Sequence, residues 1–157
     1  DALPISPTSS NGQAVASYAC QFVGNPYVYG GSSLTNGTDC SGFVMSVYSA
    51  FGIGLPHSSS ALRGCGYEVS LSSAQPGDIV CYSGHVGIYI GNGTIVHAST
   101  PSSGITYSSV TYRSPICVEE FSKREYKMGL SLVIVPFLRH KKRKRRGSSF
   151  DFQLHSA

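Results

Sequence analysis

Residues 85–99 read HVGIYIGNGTIVHAS, two runs of alternating side chains separated by Gly91-Asn92-Gly93. Period-two alternation interrupted by an Asn-Gly pair is a β-hairpin signal. Val86, Ile88, Ile90, Val96 and Ala98 share one parity and should form a core face. His85, Gly87, Tyr89, His97 and Ser99 share the other. With a three-residue loop over 91–93, Ile90 faces Thr94 and His97 lies opposite Gly87. His85 is then the diagonal neighbour of His97 on one face, roughly 7–8 Å away between backbones. A two-residue loop at Asn92-Gly93 would send the two histidines to opposite faces, because a one-residue slip inverts every side chain.

Outward from this hairpin, Gln75-Pro76-Gly77-Asp78 is a turn signal and Asp78–Tyr82 a strand. Ile105–Tyr112 and Ile116–Val118 supply further strands. Upstream the period changes. Residues 13–23 place Val15, Ala19 and Phe22 on one helical stripe, which Gly24-Asn25-Pro26 should end. Residues 40–51 carry a second stripe of Cys40, Val44, Val47 and Phe51, capped by Asp39 or Thr38. Tyr27–Gly31 reads as extended and Ser32–Asp39 as a polar loop. Helices followed by a run of strands give an α+β domain, its N-terminal helices packed on a small antiparallel sheet.

The chain has 157 residues, 41% of them hydrophobic, which suits one folded domain rather than a disordered chain. The apolar run Gly129–Leu138 is about half of the roughly 20 residues that a membrane span needs, so no transmembrane segment is expected. With no initiating Met and no charged-then-apolar start at Asp1, the sequence reads as a mature or excised piece. The net charge of +4 hides a split. Residues 1–118 hold two basic side chains, Arg63 and Arg113, against four acidic ones, a net of −2. Residues 119–157 hold ten against four, a net of +6, and seven of the ten lie in the run 139–146. Self-repulsion in such a block favours a solvated, poorly ordered segment. The organisation expected is therefore a linker over 1–12, a domain over 13–118 and a basic tail over 119–157.

Five cysteines, an odd number without a C-x-x-C pair, make a poor disulfide framework. Cys20, Cys81 and Cys117 sit in apolar contexts and read as buried free thiols, while Cys65 lies in a loop. Cys40 differs, since it starts a helix and is followed by Ser41-Gly42. A helix N-terminus and a nearby imidazolium both lower a thiol pKa. The small pair after it leaves room for a substrate beside the sulfur, and its N–H groups are candidate oxyanion donors. A cysteine nucleophile needs a base within reach and a third polar group to orient that base. Cys40, His85 and His97 can supply all three.

These stretches together resemble the NlpC family of papain-like cell-wall cysteine peptidases, over about residues 15–118. The resemblance is carried by Asn25-Pro26-Tyr27-Val28-Tyr29-Gly30-Gly31, Thr38-Asp39-Cys40-Ser41-Gly42-Phe43-Val44 and Leu55-Pro56-His57-Ser58-Ser59. Gln75-Pro76-Gly77-Asp78-Ile79-Val80, His85–Gly91 and Ile95-Val96-His97-Ala98 complete it, in family order. It implies a papain-like core with Cys40 as nucleophile, His85 as general base and acid, and His97 as the orienting third member. It further implies that Tyr27, Asp39, Ser41 and Ser59 bind substrate. His57 stands where the family often has Arg, and Leu62 lies near a position often held by Gln. The implied reaction cuts a peptidoglycan stem-peptide amide, typically between γ-D-glutamate and the following diamino acid, with no metal or organic cofactor. The implied setting is secreted or wall-associated, as a monomer with no requirement for nucleic acid.

Other readings differ in chemistry. A related amidase or acyl transferase would use the same fold on another amide. A non-catalytic wall-binding module would lack thiol reactivity. A metal site on Cys40, His85 and His97 would have only three ligands and no closely spaced pair. The basic run 139–146 offers a contact for an anionic wall polymer.

Overall fold

The computed structural model describes residues 11–120. The lead-in before Asn11, the apolar run 129–138 and the basic run 139–146 fall outside the described residues, as does nearly all of the linker and tail. The chain forms α1 (Asn11–Cys20), β1 (Ser32–Ser33), β2 (Gly37–Thr38), α2 (Cys40–Ser49) and α3 (Ser59–Leu62). There follow β3 (Tyr67–Val69), β4 (Ile79–Tyr82), β5 (His85–Gly91), β6 (Thr94–Thr100), β7 (Gly104–Ser109) and β8 (Cys117–Glu120). Six strands make one antiparallel sheet in the order β3-β8-β4-β5-β6-β7, and β1 pairs β2 in a separate small hairpin. The expected α+β architecture, with helices laid on an antiparallel sheet, is the one found. No helix among the described residues is long and apolar enough to cross a membrane.

Both sheet faces are covered. Val86, Ile88, Val96 and Ala98 pack with Val15 and Ala19 of α1 and with Phe43, Val44 and Val47 of α2. Fully burying each large apolar side chain stabilises the fold by about 1.5–3 kcal/mol. Tyr48 ties α2 to the sheet by donating its hydroxyl hydrogen to the Gly77 carbonyl, in the turn before β4. The opposite face is covered by a smaller cluster of Val80, Tyr82, Ile95, Val110 and Val118. His85 and His97 have this second parity and are 6% and 0% exposed.

The hairpin corrects the loop expectation while keeping its consequence. Gly91 pairs Thr94, so the loop is the two residues Asn92-Gly93, not three. Asn92 and Gly93 have φ of 53° and 70°, the left-handed pair that a tight hairpin turn of this kind requires. Two residues further in, Tyr89 pairs Ile95 and Ile88 pairs Val96, because the register shifts between Tyr89 and Gly91. That bulge inserts one residue and restores the parity the short loop would have inverted. Both histidines therefore share a face. Ile90, expected in the core, is half-buried at the bulge.

Helix ends differ from the pattern in three places: α1 begins at Asn11, inside the stretch read as linker, α2 ends at Ser49 rather than Phe51, and the C-terminal end of α1 differs as well. α1 stops at Cys20 rather than near Val23, and the N–H groups of Gln21, Phe22 and Val23 turn to carbonyls three residues back. Tightening of that kind is common in a last helical turn. α2 is capped by Asp39, whose Oδ1 accepts the Gly42 N–H at 2.8 Å. The sheet also runs two residues past Val118: Glu119 is 1% exposed, and its carboxylate accepts the Gly64 and Gly66 N–H groups at 2.8 and 2.9 Å.

Candidate active site

Cys40 is the first residue of α2, half-buried, at a helix end that comes to the first residues of β5. The Val86 N–H points at its sulfur, as do the N–H groups of Ser41 and Cys40 itself. Burial pushes the thiol up from its ordinary range, and Asp39 adds to that push; the three N–H groups oppose it but do not prevail. The lowered thiol pKa anticipated from the helix end is thus not the resting state, since desolvation outweighs the helix terminus. Gly42 has a different use from the one its size suggested. A Cβ there would lie 2.2 Å from the Gly31 carbonyl and 2.7 Å from Thr38 Oγ1, so the missing side chain admits the 30–38 loop. Its N–H belongs to Asp39, leaving those of Cys40 and Ser41 beside the thiol.

Asp39 is a hub. Its carboxylate accepts from Gly42, from the Gly30 N–H at 2.9 Å and from His57 Nε2 at 2.8 Å. Burial works against its charge, but His57 and the two N–H groups prevail and hold the carboxyl below its usual range. Tyr27 forms an isolated parallel bridge with Thr38 and lies within electrostatic reach of Cys40 and Asp39. Burial and these two groups, in that order, raise its phenol pKa. Ser41 is buried in α2, and Ser59 opens α3, two residues after His57. α3 contacts both α2 and β5.

The imidazoles form a row. His85 Nε2 lies 2.7 Å from His97 Nδ1, and His97 Nε2 lies 2.9 Å from Ser108 Oγ. Gly87 makes the first contact possible, because a Cβ there would come within 3.2 Å of the His97 Cβ. Burial lowers the pKa of His85 to about 4, with His97 and Arg113 contributing in the same direction. Burial, then Arg113, lowers that of His97 to about 4. Both rings are therefore neutral at pH 7, and each can donate from one nitrogen only.

Two side chains complete the surroundings without having been singled out in the sequence. Ser108 lies on β7 two residues beyond Thr106, the register partner of His97. In Tyr107-Ser108-Ser109 only the β6–β7 register tells which serine shares the histidine face. Tyr112 was expected at the end of a strand, but β7 stops at Ser109 and a turn follows. Its ring meets that of His97 edge-on at 5.3 Å and that of His85 at 6.4 Å.

A sequence model of the NlpC/P60 family matches residues 24–118, which include this whole arrangement. The chain belongs to the NlpC/P60 family. A probable endopeptidase of Mycobacterium tuberculosis H37Rv is 46% identical over 101 residues, covering 61% of this chain and 26% of that protein. A bifunctional muramidase/DL-endopeptidase of Bacillus subtilis is 36% identical over 106 residues, covering 62% and 32%. The chain thus spans about a quarter to a third of these two relatives. Among solved structures, the NlpC/p60 domain of the peptidoglycan hydrolase SagA matches with a TM-score of 0.64 and 31% identity, covering 71% of this chain and all of that one. The peptidoglycan hydrolase RipB of Mycobacterium tuberculosis matches with a TM-score of 0.62 and 27% identity, covering 76% and 72%. The NlpC/P60 fold is the papain-like α+β arrangement anticipated from the motifs.

Proposed function

We propose that this NlpC/P60 domain is a peptidoglycan endopeptidase acting between γ-D-glutamate and the following diamino acid of a stem peptide, with Cys40 as nucleophile. The observation that carries the mechanism is the hydrogen-bonded row from His85 through His97 to Ser108. His97 engages Nε2 of His85, which leaves Nδ1 as the nitrogen for the thiol proton. A neutral imidazole suits that task, since only an unprotonated nitrogen accepts a proton. Cys40 attacks the carbonyl as His85 takes its proton. The developing oxyanion is met by N–H groups at the start of α2, with Tyr27 beside them. His85 returns the proton to the leaving amine, then removes one from water, and hydroxide releases the acyl group from the thioester. His97 holds the ring of His85 in place throughout, and Asp39, Ser41 and Ser59 line the approach for substrate.

The names of the relatives support the peptidoglycan assignment, and a wall-side location fits the same substrate. The domain needs no metal or organic cofactor in this scheme. Purified peptidoglycan digested with the protein should release stem fragments whose masses identify the bond cut. Cys40→Ala and His85→Ala should each abolish release, and full activity in Cys40→Ala would overturn the mechanism. Fragments cut at another amide would move the protein to the related amidase class.

A further inference from the structure

We propose that Tyr112 and Arg113 form a carboxylate-binding wall of this site, selecting stem peptides that carry a free carboxylate near the scissile amide. The proposal rests on the endopeptidase reading above and assigns two residues which that reading does not use. Four hydrogen bonds fix the turn that carries them. Val110 donates its N–H to the Gly93 carbonyl at 2.8 Å, and its own carbonyl accepts the Tyr82 hydroxyl at 2.7 Å. The Tyr112 N–H reaches the Ser109 carbonyl at 3.0 Å, and Arg113 Nη1 reaches the Ser83 carbonyl at 3.2 Å. The guanidinium carbon sits 5.4 Å from the centre of the Tyr112 ring. Tyr112 is 40% exposed while it touches both buried imidazoles, so the pair is presented to solvent at the edge of the row.

Charge makes this pair distinctive. Among residues 11–120, Arg63 and Arg113 are the lysine and arginine side chains, against Asp39, Glu68, Asp78, Glu119 and Glu120. A stem peptide bearing carboxylates meets a body of its own sign except at such a cation. Arg113 also has enough remaining N–H donors for a two-point hold on a carboxylate, the geometry for which guanidinium is suited. Asp39 supplies the opposite sign next to Cys40. There is a catalytic corollary. Arg113 depresses the proton affinity of both histidines, and a carboxylate docked on it would neutralise that effect as substrate arrives.

The test measures binding apart from cleavage. Cys40→Ala and Cys40→Ala/Arg113→Gln are titrated by calorimetry with a synthetic L-alanyl-γ-D-glutamyl-diaminopimelate tripeptide. Three further peptides are amidated singly, at the glutamyl α-carboxyl, at the free carboxyl of the diaminopimelate side chain and at the C-terminal carboxyl. Binding of the unamidated peptide should weaken roughly ten- to hundredfold in the Arg113→Gln background. One amidation should weaken binding to the Cys40→Ala protein similarly and identifies which carboxylate docks; that preference should vanish with Arg113→Gln. Equal affinities in both backgrounds, or no measurable binding, would overturn the wall. Wild-type protein assayed for tripeptide cleavage in parallel reports on the endopeptidase reading alone: cleavage with equal affinities would sink only the wall.

Discussion

In a buried row of neutral rings, the position of one proton fixes all the others, and Ser108 sits at the end of this row. With Ser108 Oγ accepting from His97 Nε2, His97 Nδ1 is an acceptor, His85 Nε2 carries the proton and His85 Nδ1 is free to act as base. Without Ser108, His97 can turn its hydrogen toward His85 and leave that ring protonated at the wrong nitrogen. Ser108→Ala should lower kcat about tenfold with little change in KM, and Ser108→Thr, which keeps the hydroxyl, should restore most of it. The pH profile provides a second check on the row. A protonated His85 cannot accept the thiol proton, and its pKa is lowered to about 4. The acid limb of kcat/KM should therefore stay flat from neutrality and descend only near pH 4; a limb near the ordinary histidine value would refute the buried, neutral pair. Cys40, His85 and His97 were legible because each sits in a local pattern, a helix start or an alternating strand. Ser108 and Tyr112 were not, since their place depends on a register between β6 and β7 and on a turn held by Tyr82, contacts invisible in a linear reading.

At the scale of elements, the hairpin β5–β6 shows how a short loop and a correct parity can coexist. The turn residues Asn92-Gly93 taken alone predict histidines on opposite faces. The shift between Tyr89 and Gly91 cancels that inversion. Deleting Ile90 removes the extra residue and leaves an ordinary two-residue hairpin in which Gly91 still faces Thr94, Tyr89 faces Ile95 and Ile88 faces Val96, with both histidines on one face. The expected result is a retained near-UV circular dichroism spectrum and cleavage within about tenfold of the parent, with a modest fall in Tm from the lost Ile90 side chain. Loss of both would mean that the bulge itself, and not only the pairing beyond it, holds the histidines in place. α2 followed its sequence closely because Asp39, the apolar stripe and Gly42 all specify the same start. α3 and β3 were missed, since four-residue and three-residue elements carry too little periodicity to stand out.

The whole molecule depends on its last described strand in a way that the charge split concealed. Glu119 and Glu120 look like the start of an acidic-then-basic tail, yet β8 lies inside the sheet, between β3 and β4. Glu119 pairs with Ile79 on one side and Glu68 on the other, while its carboxylate holds the loop after α3. A chain ending at Val118 strands those two glycine N–H groups, each costing about 1–3 kcal/mol if left buried and unpaired. It should melt well below a chain ending at Glu120, and thermal unfolding of the two truncations compared with the full chain checks this. Equal melting temperatures would mean that Glu119 is dispensable. The interior position of β8 also bears on timing. Among the described residues β3 pairs with β8 alone, so a strand made by residue 69 must wait some fifty residues for that neighbour to be synthesised. Until residue 120 is free, β3 is not joined to the rest of the sheet and the 64–66 loop lacks its anchor. A domain built in this order stays incomplete while it is being made, and matures only when its chain has reached that strand.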